Sequence, residues 1–421
     1  MKIGVIGIGY VGLATGVCLA EFGHEVTMMD IDDRKIKILK KFKSPIYEPG
    51  IEELMMKNKD RISFTTKLED AAKDVIFLCL PTPDNGKGEA DLSYIFDTAK
   101  KLAKIANNCF IVVKSTVPVG TCDGLKKMLP NAEIVSNPEF LREGTAIHDF
   151  MNPDRIVIGV ENERAKQIME KVYEKQKDKI IFMDLKSAEM VKYASNAFLA
   201  LKISFINEIA RLCEATGANV NNVKIGVGSD KRISPHFLNA GIGWGGSCFP
   251  KDVNALIKMG ERYGIEMKLI KAAKEVNYEQ RRILIEKMKK HYKNLEGKSF
   301  GILGLSFKPN TDDIREAPSI DVIKRLIEVG ARVKVYDPVA MKNIRKIFDS
   351  KIEYAKDVYE AAEGCDGLIV LTEWNDFKQI DFEKLEKNMK ERVVFDCRNF
   401  LSVPPSFAYY GFGVYKTECL F

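Results

Sequence analysis

Short apolar, β-branched runs recur along the first part of the chain. KIGVIG, EVTMMD, DVIFLCL, CFIVVKS, AEIVSN, RIVIGV and KIIFMD all fall between Met1 and about Ile181, separated by segments with a helical spacing of apolar positions. Strands alternating with helices in this way predict a parallel sheet with crossover helices, a doubly wound α/β domain. From Ser187 to about Ala215 the pattern is helical with neither Pro nor Gly, which predicts one helix of about 43 Å at ~1.5 Å per residue. A glycine-rich interruption, AGIGWGGSC, precedes renewed helical character from Pro250 through Tyr292. At Gly297 the strand pattern restarts with KSFGILGLSFK and continues through ARVKVYDP, DGLIVLTEW and RVVFDC. The expected architecture is α/β, with two Rossmann-like doubly wound parallel-sheet domains joined by a long helix and a central helical domain. The boundaries are residues 1–186, 187–296 and 297–421.

Length agrees with two or three cores, because 421 residues are about two to three times the usual ~150-residue domain. A hydrophobic share of 46% beside 29% charged residues is that of an ordinary globular protein. The 65 basic and 59 acidic residues leave a net +6 with no long block of one sign, which suits a small anionic substrate better than nucleic acid. No cleavable leader and no apolar stretch of membrane-spanning length is present, so a soluble, cytoplasmic protein without a membrane partner is expected. Cysteines 18, 79, 109, 122, 213, 248, 365, 397 and 419 are scattered without a CxxC pair. They predict reduced thiols and neither a disulfide framework nor a metal site, and the histidines at 24, 148, 236 and 291 are equally isolated.

Gly7, Gly9 and Gly12 follow the first strand and open a helix, and the next strand ends at Asp30. This is the dinucleotide fingerprint in its proper context: a tight turn, close approach of a pyrophosphate to a helix N-terminus, and an acid for the adenosine ribose. Asp30 favours NAD over NADP, although Arg34 and Lys35 lie nearby. KIGVIGIGYVG leading to VTMMD and SFGILGLSFK leading to VKVYDP share one layout, but only the first keeps all three glycines. Cys248 stands after the glycine loop and just before Pro250. A helix start with Lys251 beside it lowers a thiol pKa, which makes Cys248 a candidate nucleophile. Lys192 and Asn196 are one helical turn apart. They are either two donors converging on an oxyanion or simply a solvated helix face. Glu139 and Glu143 are either both exposed, or one of them is an acid/base group.

Taken together the chain resembles the UDP-glucose/GDP-mannose dehydrogenase family of nucleotide-sugar 6-dehydrogenases along its whole length. The resemblance rests on GIGYVG, YEPG (47–50), KSTVPVGT (114–121), SNPEFLREGTA (136–146), NPDRIVIG (152–159), GGSCFPKD (245–252) and FKPNTDDIRE (307–316). It implies oxidation of a sugar primary alcohol to a carboxylate with two NAD molecules per cycle, through a thiohemiacetal and a thioester on Cys248. NPDR and the FLNAGIGWGGSCFPKD run point to UDP-glucose, with GDP-mannose and UDP-N-acetylhexosamines as alternatives. By motif position, Lys192 and Asn196 stabilise oxyanions, Asp252 assists a base or organises water, and Glu143 with Thr116 positions the hydrolytic water. The resemblance implies cofactor contacts for Gly7, Gly9, Tyr10, Val11, Gly12, Asp30, Lys35, Thr82, Thr116, Glu143 and Lys251. It implies substrate contacts for Glu139, Phe140, Leu141, Lys192, Asn196, Gly245, Lys308 and Arg398, and for Arg232 reaching across from a second subunit. A homodimer through the central helices follows from that arginine. LPTP (80–83) and the end, SVPPSFAYYGFGVYK, depart from the family wording without removing a catalytic position. Two rival readings are a one-step β-hydroxyacid dehydrogenase, which needs no cysteine, and a regulatory protein that binds NAD without reacting.

Overall fold

The computed structural model describes residues 1–414; Cys419 and the last residues of the third expected domain lie outside the described residues. Two compact units emerge. One comprises Met1–Ser195 with Asn254–Met259, and the other Asn196–Val253 with the chain from Gly260 onward.

The first unit is built on an eight-stranded sheet: β1 (Lys2–Ile6), β2 (Glu25–Met29), β3 (Ile62–Thr65), β4 (Val75–Leu78), β5 (Phe110–Val113), β6 (Glu133–Ser136), β7 (Ile156–Gly159) and β8 (Ile180–Met183). The spatial order is β3-β2-β1-β4-β5-β6-β7-β8, so the winding reverses between β1 and β4. Successive residues of the central strands serve opposite faces. Val75, Phe77, Phe110 and Val112 enter one core, while Ile76, Leu78, Ile111 and Val113 enter the other. Burial on both faces is why these strands read as unbroken apolar runs. One pairing departs from the all-parallel expectation: β6 and β7 meet antiparallel at Ser136 and Gly159. The link between them carries only the short Ala146–Met151 helix instead of a full crossover, and the chain returns reversed.

The second unit repeats the plan with β9 (Ser299–Leu303), β10 (Arg332–Tyr336), β11 (Glu353–Tyr354), β12 (Gly367–Val370), β13 (Val393–Asp396) and β14 (Ala408–Tyr410), in the order β11-β10-β9-β12-β13-β14. The correspondence reaches single atoms. A Cβ at Gly4 would lie 1.9 Å from the Ala71 carbonyl oxygen, and one at Gly301 2.5 Å from that of Ala361. Each sheet thus has a helix backbone pressed against its first strand where only glycine fits.

The helix expected over Ser187 to Ala215 runs from Leu185 to Thr216; its residues up to Ser195 belong to the first unit and those from Asn196 to the second. The later helical segment divides into Phe249–Arg262 and Lys268–Tyr292. The break between them carries Gly264 at φ +70°, a left-handed position that ends a helix. No helix among the described residues is long and apolar enough to cross a membrane.

Candidate active site

At the end of β1 the chain turns through Gly7 at φ +93°. Each glycine of the fingerprint has a distinct steric reason. A Cβ on Gly7 would sit 2.5 Å from the Cys79 carbonyl oxygen, and one on Gly12 1.8 Å from that of Gly7, whereas one on Gly9 meets nothing within 4 Å. Gly9 is the N-cap of the Tyr10–Glu21 helix and provides no side-chain cap. The first-turn N–H groups, Val11 among them, therefore lie at an open approach suited to an anion. Asp30 closes the turn from below. Its Oδ2 accepts Ile8 N–H (2.9 Å) and Lys35 Nζ (2.7 Å), and its Oδ1 accepts Asp32 N–H (3.0 Å). Burial pushes this carboxyl up, but those three hydrogen bonds outweigh it and hold it below the usual range. Lys35 is thus bound to the acid itself. Thr82, past β4, donates to the Thr116 carbonyl (2.9 Å) past β5, which ties together the loops that leave these two neighbouring central strands.

Glu139 and Lys192 form a buried ion pair at 2.9 Å with side chains 6% and 4% exposed. Leu141 N–H donates to the other Glu139 oxygen at 2.6 Å. Burial would raise the Glu139 carboxyl; the Lys192 charge and hydrogen bond, then the Leu141 N–H and Lys114, more than offset that and hold it low. Of the two acids left open by the sequence, Glu139 is buried and Glu143 half-buried. Phe140 is flanked by cations, with the Arg155 guanidinium 4.1 Å and Lys192 Nζ 5.4 Å from its ring centre.

Residue reading missed three members of this unit. Lys114 is fully enclosed, donates to Asn137 Oδ1 (3.1 Å) and lies 3.4 Å from the Tyr173 hydroxyl; burial pulls its ammonium down to about 8. Asn137 also accepts the Tyr173 hydroxyl at 2.6 Å. Glu48 holds the Tyr10 hydroxyl and the N–H groups of Gly144 and Ala146. All three sit inside motifs quoted above, and that position was the only available signal.

In the second unit Cys248 is the N-cap of the Phe249–Arg262 helix, with Pro250 in its first turn. It is half-buried, while the other described cysteines, 18, 79, 109, 122, 213, 365 and 397, are buried. Burial pushes the Cys79 thiol up to about 12 and raises those of Cys18, Cys122 and Cys397 as well. One turn on, Asp252 N–H donates to the Cys248 carbonyl (2.8 Å). The Asp252 carboxylate, 0% exposed, accepts Asn196 Nδ2 at 2.6 Å and Lys251 Nζ at 2.5 Å. Lys192 and Asn196, one turn apart on one helix, are therefore each held by a different carboxylate.

The glycine loop ahead of Cys248 is fastened by amides. Asn207 Oδ1 accepts Gly241 N–H (2.8 Å), Gln280 Nε2 donates to the Gly241 carbonyl (2.8 Å), and Asn277 bonds Trp244 through both N–H and carbonyl. A Cβ on Gly245 would lie 2.3 Å from the Glu316 carbonyl oxygen, so its expected substrate role comes with a packing one. The Arg398 guanidinium donates to three carbonyls, Leu371 (2.8 Å), Gly243 (3.2 Å) and Phe307 (3.3 Å), and pairs with the Glu373 carboxylate at 3.1 Å. Lys308 Nζ stands 5.8 Å from the Phe307 ring centre. Arg232, 88% exposed, pairs with Asp230. Asp337, the positional counterpart of Asp30, is buried and consumed by internal donors: Leu305, Ser306, Val339 and Ala340 N–H and the Trp374 indole. At the position of Asp30 the second fold copy thus has a more deeply buried acid held by these internal donors, and its turn lacks the third glycine.

Comparison with known proteins matches three models of the UDP-glucose/GDP-mannose dehydrogenase family in order: the NAD binding domain over residues 1–177, the central domain over 186–279 and the UDP binding domain over 301–403. A UDP-glucose 6-dehydrogenase of Bacillus subtilis is 45% identical over 98% of both chains. One of Rhizobium meliloti is 46% identical over 95% of both. The solved structure of a UDP-glucose dehydrogenase from the archaeon Pyrobaculum islandicum superposes with a TM-score of 0.93 at 38% identity, covering 98% of both chains.

Proposed function

Since this chain belongs to the UDP-glucose/GDP-mannose dehydrogenase family, we propose that it oxidises the C6 primary alcohol of UDP-glucose to the carboxylate in two steps on Cys248. The observation that carries the reading is Cys248 itself: the one described cysteine that is not buried, at a helix start whose next turn holds Asp252 bound to Asn196. Open space at Gly9, an uncapped helix start and Asp30 beneath fit a dinucleotide. Bound there, NAD would supply the hydride acceptor for each oxidation, two per sugar in this reading.

In each oxidation the hydroxyl proton passes to water organised by Asp252 and on to solvent as the C6 hydride leaves; in the first, the Lys192 ammonium and Asn196 amide stabilise the developing alkoxide. The Cys248 thiolate then adds to the aldehyde carbon, giving a thiohemiacetal that keeps the aldehyde bound. The second loss of hydride and proton leaves a thioester. Water positioned by Glu143 and Thr116 attacks the thioester carbon, Asp252 takes up a proton, and the C–S bond breaks to return the thiolate and release the acid. Glu139 holds Lys192 in place. Tyr10, Val11, Lys35, Thr82 and Lys251 join the glycine turn in holding the cofactor; Phe140, Leu141, Gly245, Lys308 and Arg398 hold the sugar nucleotide. The division into 1–186, 187–296 and 297–421 assigns NAD, dimerisation and the UDP-sugar to successive parts.

Kinetics of NAD reduction across UDP-glucose, GDP-mannose and UDP-N-acetylhexosamines tests the substrate. UDP-glucose should have the highest kcat/KM by at least tenfold; a higher value for another sugar reassigns the substrate, and no reduction with any supports a binding-only protein. A homodimer is part of the reading. Phe198, Phe205 and Leu212, spaced by seven on one helix and 60%, 47% and 60% exposed, give an apolar stripe suited to a second copy, where Arg232 would reach the partner's substrate. Sedimentation should show a dimer that Leu212→Asp dissociates; a wild-type monomer with full activity rejects it. A cytoplasmic location rests on cysteines scattered along the sequence with no CxxC pair, and cell fractionation checks it.

A further inference from the structure

Glu48 is 7% exposed and gathers three donors from two distant segments onto one carboxylate. Its Oε2 accepts the Tyr10 hydroxyl and Gly144 N–H (2.7 Å), and its Oε1 accepts Ala146 N–H (2.8 Å). The Tyr10 hydroxyl also lies 2.8 Å from the Arg142 carbonyl oxygen. The loop that presents Glu48 is itself pinned: Ser44 N–H donates to Glu52 Oε1 (2.8 Å), and Gly50 at φ +81° begins the Ile51–Lys57 helix. An ionised carboxylate is an acceptor-only side chain with room for all three bonds; an amide of the same shape must turn a donor toward one of them.

The two segments it joins both face the cofactor in the reading above. Tyr10 is the first residue of the helix whose uncapped start follows Gly9. The segment from Arg142 to Ala146 carries Glu143, close enough to Tyr10 that, after burial and Glu48, its charge also pushes the Tyr10 hydroxyl up. We propose that Glu48 is a positioning residue for the cofactor, locking the helix start and the Glu143 segment into one register. The proposal rests on Gly7 to Gly12 being the NAD site.

NADH titration of the purified full-length chain without sugar, read by nicotinamide fluorescence, is the direct test. Glu48→Gln should raise the NADH Kd about fivefold or more, the size expected for one lost hydrogen bond. Tyr10→Phe removes the hydroxyl's contacts with Glu48 and the Arg142 carbonyl but leaves Gly144 and Ala146 held by Glu48, and should raise it less. The double variant should be no weaker than Glu48→Gln alone, because both changes break one connection. The KM for UDP-glucose should stay within about twofold. An NADH Kd within about twofold of wild type for Glu48→Gln, multiplying effects in the double variant, or an equal rise in the UDP-glucose KM overturns the proposal. Should Glu48→Gln fail to fold, Tyr10→Phe decides: unchanged NADH affinity overturns the proposal. A wild-type chain that binds NADH but oxidises no UDP-glucose sinks the substrate assignment and leaves the sugar-free comparison intact.

Discussion

Replacing Gly9 and Gly12 by alanine separates what the glycine turn does for the fold from what it does for the cofactor. At Gly12 the new carbon would lie 1.8 Å from the Gly7 carbonyl oxygen, where ordinary contact begins at 3.4 Å, and the obstacle is backbone. Neither partner can yield without parting the helix from the strand. Overpacking of this kind costs about 2–3 kcal/mol, or roughly 5–10 °C in melting temperature for a unit this large. At Gly9 the new carbon meets nothing within 4 Å, and the backbone, at φ −83° and ψ −164°, is open to alanine. The loss of glycine at an N-cap and the gain from a less flexible unfolded chain, each up to ~1 kcal/mol, nearly cancel. A methyl group there fills the space assigned to the pyrophosphate. Gly9→Ala should therefore melt within about 2 °C of wild type yet bind NADH at least tenfold more weakly, a loss of ~1.4 kcal/mol. Differential scanning fluorimetry and isothermal titration with NADH give both numbers. Wild-type affinity in Gly9→Ala would refute the placement of the pyrophosphate, and wild-type melting in Gly12→Ala would refute the steric account.

Other expectations follow from the same geometry. Under native conditions iodoacetamide should alkylate Cys248 before any of the seven buried described cysteines, as peptide mapping by mass spectrometry shows; earlier labelling of Cys18 or Cys397 contradicts the site. Because the folded Asp30 carboxyl is held below its ordinary 3.8, its stabilisation is complete above that pH and drains away as pH falls through the lower folded value. Urea unfolding of wild type should thus lose more stability on acidification below about pH 4 than that of Asp30→Asn; equal slopes reject the pairing. Asp337→Asn, which disrupts a buried set of internal hydrogen bonds, should cost about 2–4 kcal/mol of stability while leaving the NADH Kd within about twofold. A larger Kd change would mean that this acid serves the cofactor.

Legibility in the sequence followed burial. β4, β5, β12 and β13 are enclosed on both faces and announce themselves as apolar runs, whereas β3, β11 and β14, which lay outside the expected runs, all stand at sheet edges. An edge strand such as ISFT alternates polar and apolar residues over a few positions and looks like a loop. The reversal at β6–β7 depends on a connection whose course no local pattern records. The glycine turn was readable because steric demands fall on fixed spacings, and Cys248 because Pro250 marks the helix it begins. Glu48, Lys114 and Asn137 were not. Each is a polar residue in a loop or at a strand end, and what makes it matter is a partner far along the chain, such as Ala146 for Glu48. Asp337 shows the converse: the layout of the second half places it beside Asp30 in role, but only its donors reveal that it is spent inside the fold.

The central claim is that one site performs both oxidations through Cys248. Its most direct test is the yield of NADH from limiting UDP-glucose run to completion, with the sugar product resolved by chromatography. The account predicts two NADH per sugar, UDP-glucuronate as the product with no free aldehyde, and near-complete loss of acid formation in Cys248→Ala. One NADH per sugar, or acid formation at the wild-type rate without the thiol, would contradict it.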